Sequence, residues 1–366
     1  MSEAGRLARQ EAREWLWSRS SLDRLQGCGR YVVGDGVAIV RRGDRARWVG
    51  LQTCRSVWSC PVCSAKIWAQ RAAELGQALD EAHARGLTTA MVTLTMRHGP
   101  GDTLVKCWDA VSDAWAAAAG RSTGARRARE AAGVVGWARR VEVTWGRHGW
   151  HVHVHALVIC AAGADVAELG DAMFHAWAAR LARLGLTPIR DSGGLDARAL
   201  SLDEAREDVA GYVAKGTYDE QVLQAALELA GNAKLGRRGN LTPWALLHAA
   251  RAGNRQAAAL WHEWEQTSAG RRALTWSQDL RAELGLGDEL DDEDLADELA
   301  EGASTEADEL VGTWHRSEWP AIRDTPGAVV GLLDVAERAR PALAGAAVLA
   351  YCVERGLPTP RPADSG

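Results

Sequence analysis

The sharpest alternation of apolar and polar positions in the chain falls in residues 134–160. There VVGWARRVEVTW leads through GRHG into WHVHVHALVIC. A period of two predicts strands, and two such runs about a short glycine-bearing turn predict an antiparallel hairpin. TTAMVTLTM at 88–96 predicts a further strong strand, and VAIVRRGDRARWVGL within 31–51 a second hairpin. Helical spacing marks 3–17, 64–86, 103–118, 121–131, 163–184 and 204–215. Gly86 is placed to stop the second of these. Beyond 220 the pattern is mainly helical, with Thr242 as a cap and Pro243 at the first helical position of NLTPW. Residues 325–357 predict two more helices. No internal repeat is present.

This pattern predicts an α+β chain in five stretches. A cysteine-rich N-terminal region spans 1–86, a strand-and-helix body 87–222, and a helical extension 223–287. An acidic linker or partly helical insert spans 288–312, and a helical C-terminal region 313–366. With 366 residues and 47% apolar composition the chain can build two or three domains. Arg far outnumbers Lys, and 17 Trp stand against 4 Tyr and one Phe, which reads as coding bias and makes each Tyr worth weighing.

Charge is unevenly spread. Residues 288–309 carry 12 acidic side chains and no Lys or Arg, so the net −5 leaves +7 for the remainder (−5 plus 12). The first 85 residues hold 14 Arg or Lys against 9 Asp or Glu. A mildly basic body is compatible with nucleic acid, with Arg126, Arg127, Arg139 and Arg140 as candidate phosphate contacts. No run reaches the ~18 apolar residues of a membrane span. GAAVLAYCV at 345–353 is too short, and the charged N-terminus has no secretory pattern. The expectation is a cytoplasmic protein whose cysteines are thiols or metal ligands.

Histidine is where the hairpin departs from an ordinary strand. If the loop is Gly146–Gly149, Trp145 pairs with Trp150, Thr144 faces His151, Glu142 faces His153, and Arg140 faces His155. Cross-strand neighbours stand ~5 Å apart. A carboxylate and imidazoles then converge on one face, a mixed N/O site suited to Mg²⁺ or Mn²⁺ and able to hold Zn²⁺. The opposite face, Val152, Val154, Ala156 and Val158, can pack on helices, whereas burying imidazole nitrogens has a cost. An exposed polar strand face is the plain alternative, and three histidines at period two opposite a Glu weigh against it. Cupins and amidohydrolases also carry H-x-H pairs, so the pattern points to a metal more firmly than to a reaction.

Four of the seven cysteines, Cys28, Cys54, Cys60 and Cys63, fall within the first 63 residues. Cys60-Pro-Val-Cys63 has the spacing by which two thiolates share one zinc, with Cys54 six residues earlier and Cys28 in QGCGR as fourth ligand. A redox pair is the rival reading of CxxC, but it leaves two thiols unexplained. Cys107, Cys160 and Cys352 read as small buried hydrophobes.

In EDVAGYVAK, 207–215, Asp208 and Tyr212 stand four apart on one helical face, with Lys215 three residues on. A phenol beside a cation and a metal-bound phosphate can serve as a nucleophile, and Asp208 can position water or take a proton. Core packing of Tyr212 and a solvated Lys215 are the plain alternatives, and Tyr218 is a competitor.

Together VTLTMRH at 92–98, WHVHVHALV at 150–158 and DVAGYVAK at 208–215 resemble the rolling-circle replication initiators of bacterial plasmids, in the actinobacterial and Gram-positive branch of the HUH endonucleases. GCGR…CRSVWSCPVC and LTPWALL…GRRALTWSQDLR are also similar to that branch, and the likeness spans roughly 20–285. Val152 and Val154 stand where many relatives have Pro and Phe, and Asp208 where Glu is common. The resemblance implies a central antiparallel sheet flanked by helices, with metal ligands Glu142, His153 and His155. It implies nicking of single-stranded, hairpin-exposed origin DNA, with Tyr212 keeping the 5′ end as a phosphotyrosine and Asp208 activating water for the last step. The released 3′-OH would prime host polymerase, with a host helicase as a further partner. A relaxase or single-strand transposase of the same chemistry, or a zinc-stabilised DNA-binding protein without catalysis, are the other readings.

Overall fold

The computed structural model describes residues 3–190, 193–219, 239–301 and 308–361, without the side chains of 121, 212–216 and 297–301. From the N-terminus come α1 (Glu3–Leu16), α2 (Asp23–Gly27), β1 (Gly36–Arg42), β2 (Arg45–Val49) and α3 (Pro61–Ala84). Next are β3 (Thr88–Thr95), α4 (Leu104–Ala116), α5 (Thr123–Ala131), β4 (Gly136–Gly146), β5 (Gly149–Cys160), α6 (Val166–Arg183), β6 (Leu195–Leu200) and α7 (Leu202–Gly216). Then follow α8 (Pro243–Arg251), α9 (Arg255–Ser268), β7 (Thr275–Trp276) and α10 (Leu280–Glu283). The last are α11 (Asp292–Glu301), β8 (Glu309–His315), α12 (Trp319–Arg323), α13 (Ala328–Arg338) and α14 (Ala344–Arg355). The helix expected after 220 falls, as far as 238, outside the described residues. No helix among the described residues is long and apolar enough to cross a membrane.

These elements form two compact units, residues 68–289 and residues 1–67 with 290–366. The α+β expectation holds, with two antiparallel sheets rather than one central sheet. In the unit of 68–289 the strand order is β6-β3-β5-β4-β7. β4 and β5 pair from Gly136↔Ile159 to Gly146↔Gly149, leaving Arg147 and His148 as a two-residue turn. Gly149 is at φ +86°, and a Cβ there would stand 2.8 Å from the Gly99 carbonyl oxygen. The turn therefore needs glycine both for its backbone and for the close approach of the loop after β3.

β5 is the centre of that sheet. Its Val152, Val154, Ala156 and Val158 are at most 2% exposed. Its other face changes character along the strand. Leu157 and Ile159 join Met91, Ala138, Leu75, Leu79, Ala205 and Val209 in one cluster, so α3 and α7 cover this half of the histidine-bearing face. α4 and α6 also pack against the sheet, and neither contributes to that cluster. Local chemistry sets the helix starts. Ser201 and Glu204 form a reciprocal capping box on α7, Asp165 caps α6, and Thr242 caps α8 with Pro243 at its first turn. Such a cap contributes ~1 kcal/mol.

In the other unit the order is β2-β1-β8. The stretch expected to be linker and helix thus supplies a strand, which pairs with β1 from Gly36↔His315 to Arg41↔Glu309. Val37, Ile39, Trp48, Val311 and Trp314 make its inner face, packed on Trp319, Ile322, Val329, Leu332 and Val348. Trp48 lies 5.3 Å from Trp314 and 5.0 Å from Trp319, ring centre to ring centre. Its indole N–H donates to the Val329 carbonyl at 2.9 Å, so an amphipathic ring is buried without an orphaned donor.

Candidate active site and metal centres

The ladder puts Glu142 opposite His153 and Arg140 opposite His155, as the turn position requires. His153 Nε2 and His155 Nε2 lie 2.9 Å apart. Glu142 Oε2 is 3.2 Å from His155 Nε2, and Oε1 is 3.8 Å from His153 Nε2. Two ligands each ~2.1 Å from one ion and at right angles stand ~3 Å apart, so this spacing fits adjacent corners of an octahedral site. Glu142 and His153 are buried, at 7% and 8% exposure. His155 is more open.

His155 Nδ1 lies 3.0 Å from Thr93 Oγ1. Thr93 is on β3, directly opposite His155. With the hydroxyl engaging Nδ1, Nε2 is the nitrogen left to face the ion, the tautomer control common around ligating histidines. The role of Thr93 is not legible from its own strand. It lies within VTLTMRH, and only the β3–β5 register brings it under the second histidine.

His151 stands apart from this trio. Its ring is 4.8 Å from that of His153 and 5.0 Å from that of His98. Burial and then the neighbouring His98 push the His151 imidazole below its ordinary value. Two of the three alternating histidines therefore converge with the carboxylate.

Arg139 and Arg140 do not reach outward as phosphate contacts. Arg140 is 4% exposed, with its guanidinium 4.6 Å over the Trp68 ring. Arg139 lies over Trp115, and burial lowers its guanidinium to about 10. Packing about β4 buries Arg140 and leaves Arg139 half-buried, whereas Arg126 and Arg127 on α5 stay exposed.

α7 lies on the histidine-bearing face through Ala205 and Val209. Asp208 Oδ2 accepts from Arg198 at 3.0 Å. Tyr212 and Lys215 belong to the last turns of α7, and their side chains lie outside the described residues. Tyr218 is fully buried, its hydroxyl 2.6 Å from Arg251 Nη1 and 3.1 Å from His248 Nδ1.

The four N-terminal cysteines converge. Cys28 Sγ lies 3.7 Å from both Cys60 and Cys63, and Cys54 lies 3.7 Å from Cys63. Ligands ~2.3 Å from a tetrahedral zinc stand ~3.8 Å apart, whereas a disulfide would bring sulfurs to ~2 Å. All four are buried, so the set is closed. CxxC does open a helix, α3 at Pro61, as a redox motif would. Four converging sulfurs decide the matter for zinc. Arg13 Nη1 approaches Cys28 Sγ at 3.9 Å, and the thiolate charge raises its pKa against the opposing effect of burial. Cys107, Cys160 and Cys352 are buried and unpaired by disulfide, as small hydrophobes should be.

Residues 46–164 match the family model described as Replication protein. Protein rep of Streptomyces lividans is 33% identical over 324 residues, covering 72% of this chain and 67% of that protein. The Neomycin resistance protein of Streptomyces cyanogenus is 30% identical over 147 residues, 34% of this chain and 33% of that relative. No solved structure matches.

A carboxylate and two imidazoles meeting across one hairpin, with the family match over the same strands, define a metal-dependent, DNA-acting enzyme of the HUH nuclease type. The chain belongs to the Rep_1 family of replication proteins.

Proposed function

We propose that this enzyme nicks and rejoins single-stranded origin DNA through a phosphotyrosine on Tyr212, and so starts and ends rolling-circle replication of a plasmid. The placement of α7 carries this reading. Ala205 and Val209 pack on the sheet face that bears the metal ligands. Position 212 follows them by seven and three, a spacing that keeps to one helical stripe. Asp208 is held by Arg198, which pairs with Met91 in the β3–β6 register. Thr93, two residues further along β3, pairs with His155. Four helical residues advance ~6 Å and two strand residues ~6.7 Å, which supports a place for position 212 near the level of His155.

A divalent ion held by Glu142, His153 and His155, Mg²⁺ or Mn²⁺, would polarise the scissile phosphate and offset its developing charge. The Tyr212 oxygen forms a bond to phosphorus as the bond to the 3′ oxygen breaks, leaving a free 3′ end to prime synthesis. Lys215, one turn beyond, would favour the phenolate. In the closing cleavage a water oxygen bonds to phosphorus as the bond to the 3′ oxygen breaks. Asp208 takes the water's proton, with Arg198 fixing its direction. The freed 3′-OH then displaces the Tyr212 oxygen from the first phosphate to rejoin the strand. The Tyr218 hydroxyl is buried and engaged by Arg251 and His248, which makes it the poorer nucleophile and supports Tyr212. The family description, Replication protein, favours replication over conjugal transfer or transposition by the same chemistry. Host polymerase and helicase are the partners such a role requires.

Incubation with single-stranded origin DNA and Mn²⁺ should give a covalent protein–DNA adduct that maps to Tyr212 and is absent from Tyr212→Phe. An adduct on another residue, or one that persists in Tyr212→Phe, would sink the assignment.

A further inference from the structure

The acidic run is not simply solvated. Glu293, in the first turn of α11, meets Arg24 at 2.9 Å and Arg55 at 3.8 Å. Asp308, just before β8, accepts from Arg42 Nε at 2.7 Å through Oδ1 and from Arg47 Nη2 at 2.8 Å through Oδ2. Among the described residues, Glu293 and Asp308 each pair with two of these arginines, all within the unit that holds the cysteine site.

These arginines are organised by the fold. In the β1–β2 register Val40 faces Arg47 and Arg42 faces Arg45, while Ile39 faces Trp48. Arg42, Arg45 and Arg47 therefore share the sheet face turned away from the Ile39–Trp48 core. Arg24 lies on α2, four residues before Cys28, and Arg55 directly follows Cys54. Arg55 holds φ at 60°, a left-handed conformation that non-glycine residues adopt at a cost. The Arg24–Glu293 pair is open, at 48% and 55% side-chain exposure, and adds little to stability, whereas the Asp308 carboxylate is enclosed between Arg42 and Arg47 and is the harder of the two to displace. A carboxylate held by two guanidinium groups presents the charge and oxygen pattern that a backbone phosphate would present to the same pair.

We propose that the outer face of the β1–β2 hairpin and the adjoining four-cysteine site, through Arg24, Arg42, Arg45, Arg47 and Arg55, binds the phosphate backbone of DNA, and that Glu293 and Asp308 occupy its phosphate positions when DNA is absent. DNA has to displace both carboxylates, so the acidic run lowers sequence-independent affinity. This surface is separate from the nucleophile assignment, because it acts in binding and not in cleavage.

The test uses the full chain with zinc retained and no Mg²⁺ or Mn²⁺, so that binding is read without cleavage. A labelled 30-nucleotide strand and its duplex are titrated over a range of NaCl concentrations. Glu293→Gln with Asp308→Asn should bind about tenfold more tightly near 0.1 M salt, since each arginine freed to meet a phosphate steepens the log–log salt slope by about 0.9 on duplex and about 0.7 on single strand. The arm with the larger change identifies which DNA form the face takes. Adding Arg42→Gln and Arg47→Gln to that variant should reverse most of the gain. Glu168→Gln with Glu354→Gln, which removes equal charge elsewhere, should leave affinity near the parent's. An unchanged slope in a variant that keeps its zinc, an equal gain in the charge control, or a gain that survives loss of the arginines overturns the proposal. If the double variant loses zinc, Asp308→Asn alone carries the same test with about half the slope change.

Discussion

The four cysteines and the Glu142–His153–His155 trio are both convergent ligand sets, yet they differ in almost every physical respect. The cysteine set is all sulfur, four-fold and buried, with sulfurs 3.7 Å apart. The trio mixes nitrogen and oxygen, offers three ligands, and leaves His155 partly open. Four thiolates satisfy zinc completely, so that ion can only hold chain segments together. Three ligands leave coordination positions for a substrate oxygen. Sequence sources differ too. The cysteines come from two loops and a helix start, Cys54 and Cys60 sharing one loop, while the trio comes from one hairpin whose turn fixes its register.

The largest effect should separate the two sites by stability. Cys60→Ser removes one zinc ligand, and structural zinc sites contribute on the order of 10 kcal/mol. Zinc content should fall below one per chain, and residues 1–67 should lose protection from protease. Retention of full zinc and an unchanged melt would remove the structural role. His155→Ala should do the reverse, lowering DNA cleavage by at least about 100-fold, as losing a metal-activating ligand implies, while shifting the melting temperature by only a few degrees. Cleavage at the parental rate would show that the trio is not the reaction centre.

A finer cut goes through Thr93. Thr93→Val keeps shape and removes the hydroxyl facing His155 Nδ1. Mn²⁺ affinity, read by titration calorimetry, should weaken about 10- to 100-fold. Thr93→Ser should restore it, and equal affinity in all three proteins would reduce Thr93 to packing.

The smallest expected effect concerns the loop after β3. Asp102 accepts from Lys106 Nζ and from the Gly99 N–H, each at 2.8 Å, and the Lys106 bond foremost lowers its carboxyl pKa. A lowered folded pKa adds stability that is present above the unfolded value near 4 and is lost as pH falls through the folded value. Asp102→Asn should therefore cost up to ~1 kcal/mol at pH 7. The gap to the parent should shrink as pH falls below the ordinary carboxyl range in denaturant melts. A gap independent of pH would assign the loss to packing.

Much of the trio was legible before any coordinates. Alternation over 134–160 identifies both strands, and a two-residue turn between Gly146 and Gly149 leaves one register, which fixes Glu142 against His153. The convergence of Cys28 with CxxC was also open to reading, because zinc demands four ligands and the remaining cysteines sit in apolar runs. Other features were not legible. The Arg139 and Arg140 side chains look like surface charge until Trp115 and Trp68 cover them. The histidine face looks unfit for helices, yet Leu157 and Ile159 let α3 and α7 lie on its other half. β8 hides beside an acidic run with no clean alternation, and gains its place only by pairing with β1 some 270 positions earlier.

By itself the sequence determined what is local: periodicity, turn chemistry, caps and ligand types. These depend on contacts between neighbours along the chain or across one tight hairpin. The tertiary structure alone decided which strand borders β1, that Thr93 supports His155, which arginines are buried, and that Glu293 and Asp308 meet Arg24, Arg42, Arg47 and Arg55. Each of those joins residues far apart in the chain, where the partner is chosen by how buried faces fit and no local pattern encodes the choice.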